Sequence, residues 1–141
     1  MDFFYDHMCF ACGERNPKGL HLKFKIEGDK VKTKFMTQKE HEGYPGMMHG
    51  GLITTVLDEV MARSINLLGL HGVTARLEIR FREPVPIGQE ITFESVVTHS
   101  HRKIIDLESK AFLPDGKLAA QAQARFMVIG KIEEGKRIHE E

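Results

Sequence analysis

The chain has 141 residues, 41% of them apolar, and its 20 Lys and Arg balance 20 Asp and Glu. That length suits one domain with a buried core, and that apolar share excludes a disordered chain. Balanced charge gives no global signal for nucleic acid, two cysteines make no secreted disulfide framework, and no run of about 20 apolar residues marks a membrane span. No charged-then-apolar leader opens the chain, so the expectation is a soluble cytoplasmic protein with neither nucleic acid nor membrane as partner.

Residues 1–19 read as an irregular lead-in, dense in turn residues at Cys9-Phe10-Ala11-Cys12-Gly13 and Asn16-Pro17-Lys18-Gly19. Cys9-x-x-Cys12 is half of a zinc site at most, and His7 and His21 as completing ligands fit no strong spacing. Two ordinary thiols and no metal is the plainer expectation.

Residues 20–27 alternate Leu20, Leu22, Phe24 and Ile26 with polar neighbours, and Val31, Thr33 and Phe35 alternate with Lys32 and Lys34. With Gly28-Asp29 between them they predict a hairpin whose lysines form a wet face. Residues 37–51, with Gly43 and Gly46 before His49 and one proline, predict a loop that positions function at a helix mouth.

A helix is expected over 50–68, stopped by Gly69. Ile53, Val56, Leu57, Val60, Met61, Ile65, Leu67 and Leu68 cover much of its circumference, so protein should surround it. Asp58 and Glu59 sit in its middle. A buried carboxylate must be paired, hydrogen-bonded or shifted in pKa, and the free N–H groups of a helix start favour negative charge. An acid beside such a helix end is a plausible hydrolytic constellation. A carboxylate satisfied by structural donors is the bland alternative. Glu59 points about 100° from Asp58 and is expected to make a structural hydrogen bond.

The strand at 74–82 alternates most cleanly: Ala75, Leu77, Ile79 and Phe81 on one face, Thr74, Arg76, Glu78, Arg80 and Arg82 on the other. Strands follow at 90–100 and 103–113, then a turn at Pro114-Asp115-Gly116-Lys117, a last strand at 118–129 and a loose charged tail at 131–141. His99 and His101 share a strand face, which is a wet face more simply than a metal site. One long apolar helix among antiparallel strands predicts a single α+β domain with the sheet curled around the helix.

These motifs together resemble a family. His49-Gly50-Gly51, an acid nine residues after the histidine, Thr74-Ala75-Arg76-Leu77-Glu78 after the helix, and Gly43-Tyr44-Pro45-Gly46 before it are similar to hotdog-fold acyl-CoA thioesterases of the phenylacetate-degradation type. The cysteine-bearing lead-in resembles the same branch. The resemblance spans roughly residues 9–129 and implies a sheet wrapped around one central helix. It implies a homodimer joined through a continuous sheet at the strand 74–82, often paired into tetramers. A plain solvent-exposed face is the other reading of that strand's charges.

The resemblance also implies roles. Asp58 is the catalytic carboxylate, as general base or nucleophile; Gly51 offers its N–H to the thioester carbonyl; His49 shapes the site and Gly50 lets the turn form; Thr74 holds the attacking water. Some relatives place Asn or Gln six residues before the histidine, where this chain has Gly43, so carbonyl polarisation rests more on Gly51. Tyr44, Met47, Met48 and Leu52 are expected to line an adaptable apolar acyl pocket suited to an aliphatic or aromatic group. Arg76, Arg80, Arg82, Arg102 and Lys103 are candidates for the phosphates of coenzyme A, which is part of the substrate and no cofactor. Two other hotdog activities remain open at this point: a non-catalytic acyl-CoA binding module, and a hydratase or dehydratase using His49 with Asp58.

Overall fold

A computed structural model describes residues 6–132. A six-stranded antiparallel sheet in the order β1-β2-β4-β5-β6-β3 holds one long helix against it. The strands are β1 (Lys25–Glu27), β2 (Lys30–Met36), β3 (Leu70–Phe81), β4 (Glu90–His101), β5 (Ile104–Phe112) and β6 (Leu118–Lys131), and the helix α1 spans Gly50–Leu67. This is the sheet-around-helix arrangement that the resemblance implies. Within the described residues no helix is long and apolar enough to cross a membrane.

Helix α1 buries Ile53, Val56, Leu57, Val60, Met61, Ser64 and Ile65. Their three- and four-residue spacing forms one continuous face. That face packs on β2, β3, β4, β5 and β6, which a single helix reaches only if the sheet curves around it. The opposite face is half-buried, and between Leu52 and Leu67 no residue is fully exposed. The sheet therefore covers one face of the helix fully and the other only in part. Gly69 takes φ 79°, a conformation that costs glycine little, and ends the helix at the expected place.

The strands facing α1 are built for close approach. Ala119, Ala120, Ala122 and Ala124 of β6 are buried, so the backbone there lies under small side chains. Phe93 of β4 and Phe126 of β6 fill the wider spaces. A polar link joins α1 to β4: the Ser95 hydroxyl donates to the Val60 carbonyl at 2.6 Å and meets the Ser64 hydroxyl, which satisfies both buried serines.

The first hairpin differs from expectation. Strand pairing covers only Lys25–Glu27 against β2. Leu20, Leu22 and Phe24 are buried as the alternation predicts, but the Leu20 and Leu22 N–H groups go to the carbonyls of Phe10 and Ala11. The lead-in thus takes the hydrogen bonds a longer β1 would have used. Ile26, at the paired end, is 45% exposed. The lead-in lacks helix and strand, as expected, over its described part. Beyond β6, residues 133–141 of the expected loose tail lie outside the described residues.

A second difference matters for chemistry. Between Thr74 and Arg76 the β3–β6 register shifts: Thr74 pairs with Phe126, Arg76 with Arg125, and Ala75 is the extra residue of a bulge. Phe126 is a buried inward residue, whereas Arg125 is exposed and binds Asp106 through two nitrogens at 2.9 and 3.2 Å. Thr74 therefore leaves the polar face to which simple alternation assigned it and joins the face that meets the helix. A bulge re-aims side chains in this way by adding one residue to a period of two.

Candidate active site

The loop before α1 is held in place by its own backbone. Met48 N–H donates to the Val85 carbonyl and His49 N–H to the His41 carbonyl, each at 2.8 Å, while the Glu42 carboxylate accepts the Gly46 N–H at 2.6 Å. Gly46 sits at φ 83°, where a side chain would be strained. These contacts bring His49 to the N-cap of α1.

His49 caps the helix with its ring. The Gly51 N–H donates to His49 Nδ1 at 2.9 Å. Because Nδ1 accepts, a neutral ring carries its proton on Nε2. The fit is tight. A methyl group at Gly51 would come within 3.0 Å of the ring, and one at Gly43 within 3.2 Å of His49 Cα. Gly43 therefore has no room for an Asn or Gln unless His49 moves. Gly50 lies under Phe81, whose ring would meet an added Cβ at 3.5 Å. The donor that the resemblance assigns to the substrate, Gly51 N–H, is thus satisfied inside the chain by the neighbouring histidine.

Two turns further along, Asp58 faces β3. The Thr74 hydroxyl donates to Asp58 Oδ1 at 2.7 Å, so helix and bulged strand meet at this carboxylate. Burial pushes the Asp58 pKa above the ordinary carboxylate value, and the Thr74 hydrogen bond pulls the other way. With its proton committed to Asp58, the Thr74 oxygen retains only acceptor capacity. A water lodged beside both groups can donate to Thr74 Oγ1 and to the carboxylate.

Glu59 does what its helical offset predicts and turns away. It is held by Arg63, one turn on, at 3.2 Å, and by the Cys12 thiol at 3.4 Å, with Cys9 Sγ at 3.9 Å. Burial pushes the Glu59 pKa up, opposed chiefly by Arg63. The Cys12 side chain, with the backbone N–H groups of Cys12 and Ala11, pulls the Cys9 thiol down to about 5 against the effect of burial. The Cys9 and Cys12 sulfurs and the Glu59 carboxyl group therefore sit side by side, with the Arg63 guanidinium against Glu59. Sequence reasoning singled out both cysteines but missed Glu59 and Arg63 as their neighbours. The i, i+4 spacing of Glu59 and Arg63 was the readable signal.

The expected substrate-binding residues divide. Leu52 lines an open groove with Phe10, Leu20, Phe35, Met36 and His41. Met47 is half-buried and bridges to Pro86, Met48 belongs to the core, and Tyr44 stands 78% exposed. Arg76 projects from the outer face of the sheet near Asp106, Arg80 is exposed, and Arg82 Nε donates to the Gln121 side-chain oxygen Oε1 at 3.2 Å. None of the three meets Asp58 within the chain. Arg102, at φ 57°, and Lys103 form the tight β4–β5 turn, and His99 lies exposed opposite Asp106.

A helix start primed with N–H groups, an acid two turns on and a sheet curled around both describe a class of thioester-processing fold. The model of the Thioesterase superfamily matches residues 45–120, and the chain belongs to that family. Acyl-coenzyme A thioesterase 13 of Homo sapiens is 30% identical over 100 residues, 67% of this chain and 69% of that one. Among solved structures, the Escherichia coli PaaI protein of the phenylacetic acid degradation operon superposes with a TM-score of 0.76 at 19% identity, over 81% of this chain and 84% of that one. A thioesterase-like protein of Streptococcus pneumoniae TIGR4 with coenzyme A gives a TM-score of 0.76 at 20% identity, over 79% and 91%. Structures of an aspartate-to-alanine and a threonine-to-alanine variant of that pneumococcal protein also match, and the two altered positions are 16 residues apart. The fold is the hotdog fold of these neighbours.

Proposed function

We propose that this chain hydrolyses an acyl-CoA thioester to a free acid and coenzyme A, with Asp58 as general base. The observation that carries the reading is the Thr74–Asp58 contact, which sets a half-buried helix carboxylate against an exposed hydroxyl on the bulged strand. The two residues are 16 apart, the same interval as the altered aspartate and threonine of the coenzyme A-binding pneumococcal structure. The human relative's name states the same substrate class.

The chemistry follows from the parts. Asp58 takes a proton from a water held by Thr74, and the hydroxide attacks the thioester carbonyl carbon. The carbonyl oxygen gathers negative charge, which the positive end of α1 and the Gly51 N–H stabilise. In the resting chain His49 Nδ1 occupies that N–H, so it acts as a placeholder that the substrate oxygen displaces. The tetrahedral intermediate collapses and expels the coenzyme A thiolate, a good leaving group that places little demand on a general acid.

Geometry calls for two chains. Gly51 and Asp58 are seven residues apart in one helix, so a rise of 1.5 Å per residue separates them by about 10 Å. One thioester carbon and its oxygen cannot span that. Gly51 of one chain facing Asp58 of a second copy closes the gap. The outer edge of β3 ends the sheet with no neighbouring strand among the described residues, and such an edge invites pairing. A β3–β3 homodimer, which can pair again into a dimer of dimers, is therefore part of the proposal. Paired cysteines with no disulfide fit a reducing compartment such as the cytoplasm.

Thiol release from short, long and aromatic acyl-CoAs tests the reaction. Turnover that yields one free thiol per acid formed is the expected outcome. An altered double bond with the thioester intact would make the chain a hydratase or dehydratase. Saturable binding without either product would make it a binding module.

A further inference from the structure

The lead-in meets the helix at a cluster that thioester hydrolysis does not use. One sulfur each from Cys9 and Cys12 and a carboxylate oxygen from Glu59 all lie within 4.8 Å of one another. Cys12 Sγ is 3.4 Å from Glu59 Oε1 and Cys9 Sγ is 3.9 Å from Glu59 Oε2. A tetrahedral zinc ion bound by sulfur at about 2.3 Å and by oxygen at about 2.1 Å sets its sulfur and oxygen ligands roughly 3.6 Å apart. The two observed separations, one to each oxygen of the Glu59 carboxyl group, lie on either side of that value. We infer that Cys9, Cys12 and Glu59 bind a zinc ion that fastens the lead-in to helix α1.

Three further features fit a metal better than a chance thiol contact. First, the Cys9–Cys12 turn is built to converge its sulfurs. The Gly13 N–H closes it onto the Cys9 carbonyl at 2.8 Å. A side chain at Gly13 would come within 2.5 Å of the Cys9 nitrogen and the His7 carbonyl oxygen, so only glycine fits. Second, the segment between the two cysteines is pinned: the Leu20 and Leu22 N–H groups donate to the Phe10 and Ala11 carbonyls at 2.8 and 2.9 Å. Third, the charges close. Two thiolates and a carboxylate carry three negative charges; a divalent ion offsets two, and Arg63, 3.2 Å from Glu59 Oε1, offsets the third. Arg63 Nε and Nη1 are buried without hydrogen-bond partners among the described residues, and the guanidinium also lies 5.9 Å over the Phe24 ring.

The ligand set differs from the histidine-completed one weighed in the sequence. His21 instead places its ring against the Asn16 carbonyl. The third ligand comes from the helix, 47 residues beyond Cys12, which no local spacing pattern reveals. Cys9 is only half-buried, so water reaches the fourth position of a tetrahedral ion.

The test is the metal content of the full chain, purified from zinc-supplemented medium with thiols reduced and no chelator. About one zinc per chain is expected, with a fall in Tm when a chelator removes it. Cobalt(II) added to the stripped chain should give an intense near-ultraviolet thiolate-to-metal charge-transfer band. Cys12→Ser and Glu59→Gln should each lose the metal. If either variant fails to fold, zinc content and the cobalt spectrum of the unaltered chain decide. Less than about a tenth of a zinc per chain, together with no cobalt–thiolate band, overturns the site. The readout is metal content, so its failure leaves the thioesterase reading untouched, and the reverse holds too.

Discussion

At Asp58 two opposing influences meet, and their balance sets when the residue can act. Burial raises its pKa and the Thr74 hydroxyl lowers it, with burial the larger. A base must be ionised, so kcat/KM should rise with pH through an apparent pKa above the ordinary carboxylate value. Removing the donor removes the lowering influence. Thr74→Ala is therefore expected to move the acid limb of the kcat/KM profile to higher pH, besides reducing kcat through loss of the held water. A profile whose acid limb stays in place or moves to lower pH would separate Thr74 from the carboxylate's ionisation. None of this is visible in the residue types alone, since threonine is an ordinary strand residue.

The helix start and the bulged strand are where element geometry decides function. His49 satisfies one of the N–H groups that every helix start leaves open. His49→Ala should cost about 1 kcal/mol of stability, read from urea denaturation, as loss of an N-cap does. If the ring is a placeholder, the variant keeps more than about a tenth of kcat, since the Gly51 N–H remains. A loss of 100-fold or more, with the fold intact, would mean the ring itself donates to the oxyanion.

Much of this architecture was legible. The three- and four-residue spacing of Ile53 to Ile65 located the helix, and Gly69 its end. Alternation located β2, β4, β5 and β6 to within a few residues. What alternation could not read was the bulge at Ala75, because an extra residue is invisible until the partner strand is known. Thr74 therefore came to the site through the resemblance, whereas the period of two pointed it outward. The same limit shortened β1: Leu20 and Leu22 carry a strand's pattern, but the lead-in carbonyls of Phe10 and Ala11 claim their N–H groups. Glu59's meeting with Cys9 and Cys12 is a long-range contact that only the folded chain brings about.

For the whole molecule, the unpaired edge of β3 and the distance between Gly51 and Asp58 point the same way. Light scattering should give a mass of about twice the 16.1 kDa chain, or four times it if the dimers pair again. A chain that stays monomeric at working concentration yet hydrolyses thioesters would contradict a site shared between copies.

The central claim is the carboxylate on α1, and Asp58→Asn reaches it most directly. The substitution keeps the side chain's shape and an oxygen to accept from Thr74, but removes the base. Thiol release from the best acyl-CoA should fall at least 100-fold in kcat/KM, about 2.7 kcal/mol of lost transition-state stabilisation. A raised carboxylate pKa means that the ionised form works against folding at pH values above it, so Tm at neutral pH should hold or rise. Lost turnover in an equally stable chain is the expected result. Turnover within a few-fold of the unaltered chain would remove Asp58 from the chemistry and with it the mechanism proposed here.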